Sequence, residues 1–277
     1  MRKTLSYFEI TRPLNNLITA FAVFIGAWTS GWVSSFDRLI LALVSASFIS
    51  AGGYVINDLF DLNIDKINKP QRTLPRGEIS PASALVFSLC LFLAGLLISI
   101  FIKPAAFLLA LWATGLLVLY SYRLKRTPLF GNLLVSFVCG LAFVYGGVVG
   151  RDFTFSLIPA GFAFLFHLGR EILKDIEDLA GDESVRAQTF PITWGIDISL
   201  LLVTIVFSGL IFLTLVPYHF GLFPFQYLAL VLGVDLLLIY VMVSMWSNRS
   251  KENLGRLSQI LKFNMILGLL AIFVVRL

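Results

Sequence analysis

The sequence predicts an all-α, polytopic membrane protein: a bundle of nine transmembrane helices around a central cavity, with one domain over residues 1–277. Three observations lead there. First, 58% of the residues are hydrophobic, against roughly 45–50% in soluble domains. Second, only 13% are charged and mean hydropathy is +0.90, whereas soluble domains carry about 25% charge. Third, apolar runs long enough to cross the hydrocarbon core as helices recur along the whole chain. These features exclude a soluble enzyme, a disordered chain and a secreted disulfide scaffold. The runs are continuous rather than alternating at every second residue, which also excludes a β-barrel.

Nine runs are expected to span: 14–34, 39–60, 82–101, 105–121, 129–149, 155–174, 196–217, 222–245 and 257–277. The first follows Arg2, Lys3, Glu9 and Arg12. Because its apolar core starts so late, it reads as a retained helix and not a signal peptide. Ser34, Ser35, Phe36 and Asp37 separate it from the second, Lys103-Pro104 separates the third from the fourth, and Gly150-Arg151-Asp152 separates the fifth from the sixth. Cys90 and Cys139 fall inside apolar runs, where thiols behave as small hydrophobes.

With the N-terminus placed inside, 17 of the 21 Lys and Arg residues fall on the cytoplasmic face, and Arg38, Lys103, Arg151 and Arg276 fall outside. This bias sets orientation in membrane proteins, so a cytoplasmic N-terminus and an outside C-terminus in the cell membrane are expected. Acidic residues do not normally follow that rule, yet 13 of 16 share the cytoplasmic face. Asp37 and Asp152 lie outside and Asp235 falls mid-span. Asp235, and Asn264 in the ninth run, are expected to bond neighbouring helices. The partners implied are membrane lipids and lipid-like substrates; no nucleic-acid partner is expected, and oligomeric state is not readable from the pattern.

Most of the acidic residues belong to a motif that occurs twice. Asn57-Asp58-Leu-Phe-Asp61-Leu-Asn-Ile-Asp65 follows the second run, and Asp175-Ile-Glu-Asp178-Leu-Ala-Gly-Asp182 follows the sixth. Each contains D-x-x-D-x-x-x-D, and corresponding members are 117 residues apart (178 − 61). Membrane bundles often carry such internal repeats. Residues three, four and seven apart share a helix face, so each copy is expected to present a stack of carboxylates. In the first copy Asn57, Asp61 and Asp65 should align, with Asp58 turned aside. In the second half His167, Glu171, Lys174, Asp178 and Asp182 should share one helical face, directed inward.

Stacked like charges repel unless a cation occupies them. Oxygen donors without nearby His or Cys suit Mg²⁺ rather than Zn²⁺, and Mg²⁺ is usually shared between one or two carboxylates and substrate phosphates. Basic residues interleave with the two copies: Lys66, Lys69, Arg72 and Arg76 after the first, Arg170 and Lys174 before the second, and Arg123, Lys125 and Arg126 in the loop between the fourth and fifth runs. Two acidic stacks with cations between them read as a diphosphate clamp.

On these residues the chain resembles the UbiA superfamily of intramembrane prenyltransferases. The resemblance rests on nine helices, the two acidic motifs after the second and sixth, and the Arg12-Pro13-x-Asn15 entry to the first. It implies Mg²⁺-dependent transfer of an isoprenoid from an allylic diphosphate to an acceptor. Asn57, Asp61, Asp178 and Asp182 would hold the metal, supported by Asp58, Asp65 and Asp175, with Lys174 the foremost cation. Asn15 and His167 would line the substrate cavity. Leu168-Gly169-Arg170-Glu171, Thr127-Pro128-Leu-Phe-Gly131-Asn132 and the Arg72-to-Ser80 segment resemble an ether-lipid branch of the superfamily. In that branch geranylgeranyl diphosphate is the donor and geranylgeranylglyceryl phosphate the acceptor. Gln188 stands where the branch usually has a basic residue, and Thr73 where it usually has Pro. An acceptor with its own phosphate would engage Arg72, Arg123, Lys125, Arg126 or Arg170. A sister enzyme that prenylates an aromatic ring is the alternative acceptor class. A secondary transporter is the remote one, since transporters place their charged sites near the midplane and here only Asp235 is central.

Overall fold

The computed structural model describes residues 2–31, 35–184 and 186–276. The end of the first expected span at 32–34 and Leu277 at the end of the ninth lie outside the described residues. A helix appears in each of the nine expected positions. α1 (Arg2–Ile10) precedes α2 (Pro13–Thr29), α3 (Phe36–Phe60) and the short α4 (Leu62–Asn68). Then come α5 (Pro81–Ile100), α6 (Pro104–Tyr122), α7 (Phe130–Val149), α8 (Leu157–Glu177) and the short α9 (Leu179–Ser184). The chain closes with the short α10 (Phe190–Trp194), then α11 (Ile196–His219), α12 (Phe225–Ser247) and α13 (Lys251–Phe273). Eight of these are long and apolar enough to cross a membrane, and α2 is a shorter apolar helix. α1 and the three short helices, α4, α9 and α10, carry too little apolar sequence for a hydropathy reading to find.

Local chemistry sets the helix starts. Pro occupies the first turn of α2, α5 and α6, where its missing N–H costs nothing and its fixed φ suits the helix. Ser80 accepts from the Ser83 N–H at 3.2 Å, and Ser250 from the Asn253 N–H at 3.3 Å, which satisfies donors that a helix N-terminus leaves free.

The outer surface is apolar: Leu85, Leu89, Leu93 and Leu97 of α5 form one exposed stripe at four-residue spacing. Such a face belongs in lipid, where helices bury their own backbone polar groups. Inside, α2 and α7 cross backbone to backbone. A Cβ at Gly146 would lie 1.8 Å from the Val23 carbonyl oxygen, and one at Gly26 would lie 2.0 Å from that of Phe143. Small residues permit this approach in membranes, where there is no hydrophobic drive between helices.

The sequence repeat is a structural repeat. Arg12 (φ 53°) and Leu129 (φ 63°), 117 residues apart, both have a positive φ just before α2 and α7. Asp61 (φ −89°, ψ 1°) and Asp178 (φ −91°, ψ 5°), at the same separation, end α3 and α8. α4 and α9 begin one residue later in each half. α5 and α6 pack against α3, α11 packs against α8, and α13 closes the ring against α2, α8 and α12.

Polar side chains within the bundle join helices. Thr214 of α11 donates to the Asp235 carboxylate of α12 at 3.1 Å, and the Tyr227 hydroxyl donates to the Thr214 carbonyl at 2.7 Å. Asn264 of α13 donates to the Val234 carbonyl at 3.1 Å. Both mid-span residues therefore bond a neighbouring helix, and Asn264 also lines the central cavity.

Candidate active site

A cavity of about 650 Å³ runs between the helices, within the usual range for small-molecule sites. Its deeper wall is apolar, with Ile49, Leu117, Phe143, Phe162, Phe166 and Leu210. Its mouth is polar and mostly charged: Asn57, Asp65, Lys69, Arg72, Lys125, Lys174, Asp175, Asp178 and Asp182 reach it from α3, α4 and the segment after it, the loop after α6, and α8–α9.

The helix breaks at Asp61 and Asp178 reshape the expected stacks. Each motif was expected to continue along one helix, but α3 stops at Phe60 and α8 at Glu177. Asn57 and Asp61 still align, with the Asn57 amide donating to Asp61 Oδ2 at 2.8 Å. Asp65 lies beyond the turn and joins Asp58 instead, because Arg72 Nη1 reaches Asp65 Oδ2 at 2.6 Å and Asp58 Oδ1 at 3.2 Å. Arg12 pairs with Asp58 from the other side. Asp182 likewise sits on α9 and not on the face that carries His167, Glu171 and Lys174.

The two halves interlock at the mouth. Lys69 Nζ of the first half lies 2.8 Å from Asp178 Oδ2 of the second, and the Asn68 amide donates to the Asp178 carbonyl at 2.9 Å. Lys125 pairs with Asp61. Asn132 donates to Asp175 Oδ2 at 2.8 Å; Asn132 and Asp175 are the repeat partners of Asn15 and Asp58. Asn15, His167 and Arg170 line the cavity deeper in, and both Arg170 and Lys174 bond Glu171 at 2.9 Å.

Charge balance leaves oxygen atoms available. Among the described residues Asp178 Oδ1 and Asn68 Oδ1 are buried without a hydrogen-bond partner, and Asp182 has no ion pair although only 5% of its surface is exposed. Burial pushes the Asp182 carboxyl up to about 6; Lys125 partly opposes the rise, and the negative charges of Asp178 and Asp61 reinforce it. Burial likewise raises Asp65 above the usual range despite Arg72. Asp178 is also penalised by burial, but Lys69 beside it holds its carboxyl below the usual range.

Arg123 and Arg126 are exposed and do not line the cavity; Arg126 instead donates to the Phe60 carbonyl at 3.2 Å. Asp58 and Asp61 stand behind the wall, covered by Arg12, Arg72 and Lys125. Sequence reasoning named Lys69 only as one of several cations interleaved with the motifs, and it missed Asn132 as a site residue although the Asn15–Asn132 repeat was there to be read. It also missed Lys262, which lines the cavity from α13. The ninth span was expected from residue 257, but α13 begins at Lys251, so Lys262 lies well inside the helix instead of near its start.

Comparison with known proteins agrees with this architecture. The UbiA prenyltransferase family matches residues 16–266. The digeranylgeranylglyceryl phosphate synthase of Methanopyrus kandleri is 36% identical over 267 residues, 96% of this chain and 97% of that protein. The synthase of the same name from Sulfurisphaera tokodaii is 39% identical over 242 residues, 86% of this chain and 87% of that protein. A solved structure of digeranylgeranylglyceryl phosphate synthase aligns with a TM-score of 0.78 at 34% identity, covering 100% of this chain and 99% of that one. A UbiA homolog from Archaeoglobus fulgidus, solved with GPP and Mg²⁺ bound, aligns with a TM-score of 0.67 at 18% identity over 98% of this chain and 100% of that one, a likeness of fold. The chain belongs to the UbiA prenyltransferase family.

Proposed function

We propose that this protein transfers a geranylgeranyl group from geranylgeranyl diphosphate to the free hydroxyl of geranylgeranylglyceryl phosphate, an ether-lipid step that releases diphosphate. The reading is supported by the relatives that carry the synthase name over nearly the whole chain. In the structure, the observation that carries it is the pair of in-register acidic breaks, joined by Lys69 and Asp178 at the mouth of a membrane cavity.

The donor set fits Mg²⁺. It is all oxygen, and it includes the unpartnered Asp178 Oδ1 and the unpaired Asp182. Among the described residues no three Asp, Glu, His or Cys side chains converge as a ready-made cage, which suits an ion that takes its remaining ligands from substrate phosphates. Asn57, Asp61, Asp178 and Asp182 are the residues that would hold it. When bound, the metal supplies positive charge that stabilises diphosphate as a leaving group. Lys69 and Lys125, now paired with Asp178 and Asp61, are placed to exchange those carboxylates for diphosphate oxygens. The carbon–oxygen bond to diphosphate breaks, the acceptor oxygen bonds the allylic carbon, and the hydroxyl proton passes to the released diphosphate. The apolar wall around Phe143, Phe162 and Phe166 keeps water from the allylic cation.

The whole chain forms the catalytic domain in this reading, with the N-terminus and both motifs cytoplasmic and the C-terminus outside. The test is incubation of the protein in nanodiscs with labelled geranylgeranyl diphosphate and each acceptor class. Transfer to geranylgeranylglyceryl phosphate is expected; transfer only to 4-hydroxybenzoate or another aromatic acceptor would overturn the reading.

A further inference from the structure

Lys262 is the charged group that the diphosphate site leaves unused. It lies eleven residues after Lys251, the start of α13, about 16 Å along the helix at 1.5 Å per residue. It faces the cavity. Among the described residues it has no ion pair, and it shares the cavity with Arg170 of α8 and Arg12 at the start of α2, two helices that pack against α13. An ionisable side chain within a spanning helix that faces a cavity without a counter-charge marks a ligand site by default.

Its surroundings indicate what the ligand carries. Arg170 and Lys174 share the carboxylate of Glu171, and Lys174 has Asp175 and Asp178 in the same cavity besides, so Arg170 is the one short of a partner. Arg170 Nε is buried without a partner. Lys262 adds a second charge, while Arg12 is balanced by Asp58. Lys262, which has no ion pair among the described residues, and Arg170, whose Nε is unpartnered, offer two cations to one ligand, which matches the charge of a phosphate monoester, about −1.5 to −2 near neutral pH. An aromatic carboxylate would bring only one. Arg170 also precedes Asp178 by eight residues on α8, about 12 Å, so a phosphate here would not compete with diphosphate at the mouth.

We propose that Lys262 and Arg170 form a second anion seat, distinct from the diphosphate clamp, that binds the acceptor's phosphate monoester and selects for it. The seat rests on the proposed function, because it assigns the phosphate of that same acceptor class. It replaces Arg123 and Arg126, which the cavity does not reach, as the source of acceptor specificity.

The test uses the full chain in nanodiscs with labelled geranylgeranyl diphosphate and two acceptors, geranylgeranylglyceryl phosphate and its neutral counterpart geranylgeranylglycerol. The neutral acceptor is read by turnover or by competition. Lys262→Met is expected to lose about 10- to 100-fold in kcat/KM for the phosphorylated acceptor, the range for a lost bond between charged groups. That loss should appear in acceptor KM, with the neutral acceptor and donor KM nearly unchanged and Lys262→Arg largely restoring it. Should Lys262→Met fail to fold, Arg170→Gln is expected to show the same acceptor-selective loss. An equal loss on both acceptors, or no loss on either, overturns the seat and leaves the proposed function standing. If the wild type uses neither glyceryl acceptor, the proposed function itself falls and takes the seat with it.

Discussion

Lys69 of the first half grips Asp178 of the second at 2.8 Å, while its neighbour Asn68 donates to the Asp178 carbonyl at 2.9 Å. The acidic break of one repeat is thus held by the short helix that follows the break of the other. Lys69→Met removes a cation placed to move onto diphosphate. Donor KM is expected to rise about tenfold, in line with a lost charge-assisted bond. Mg²⁺ affinity measured without donor should not weaken, because Asp178 loses a competitor.

Asp182 gives a pH signature. Its folded-state carboxyl is raised to about 6 by burial, above an ordinary Asp near 3.9, so the metal-free folded chain holds a proton that the unfolded chain releases. This contribution to stability is present below about pH 4 and lost as pH rises through about 6. Asp182→Asn is therefore expected to raise metal-free thermal stability at pH 7 and to flatten its pH dependence between those values. A metal-free protein whose pH dependence is the same with and without Asp182 would contradict the assignment.

The crossing of α2 and α7 is a steric prediction. Gly146→Ala places a methyl group 1.8 Å from the Val23 carbonyl oxygen, and backbone cannot give way as a side chain can. A loss of at least about 1–3 kcal/mol is expected, typical of overpacking, read as a lower unfolding temperature. An unchanged unfolding temperature would mean that the helices stand further apart.

Asp235 is expected to be structural. Its bond to Thr214 joins α11 and α12, and such bonds within membranes average about 0.6 kcal/mol. Asp235→Leu should lower thermal stability modestly without changing donor or acceptor KM. A selective change in either KM would place Asp235 in the substrate path.

Much of this was legible in the sequence because lipid makes simple demands. A helix appears in all nine expected positions, and the Asp61–Asp178 spacing already identified the repeat. The turn at those two residues was not legible: D-x-x-D-x-x-x-D has helical spacing throughout, and only the folded chain shows Asp65 on the far side of a break, bonded to Arg72. Basic residues were harder still. Arg123, Lys125 and Arg126 are near neighbours in one short segment, yet among the described residues only Lys125 of the three pairs with a carboxylate of an acidic motif. Lys262 counted only among the 17 cytoplasmic-face cations, because the mostly polar stretch from 251 to 256 hid the true start of α13.

Orientation can be read directly. With the N-terminus inside, Asp182→Cys should be labelled by an impermeant thiol reagent from the cytoplasmic side and Asp152→Cys from the opposite side. The reverse pattern would invert the bundle.

The central claim is that the two acidic breaks act together on one diphosphate. Its most direct measurement is Mg²⁺-dependent release of diphosphate from geranylgeranyl diphosphate by Asp61→Ala and Asp178→Ala, alongside Arg123→Ala and Arg126→Ala. Each Asp variant is expected to lose at least about 100-fold, the scale for removing one group that stabilises developing charge, and each Arg variant to stay near wild type. Diphosphate release that survives intact in either Asp variant would contradict the account.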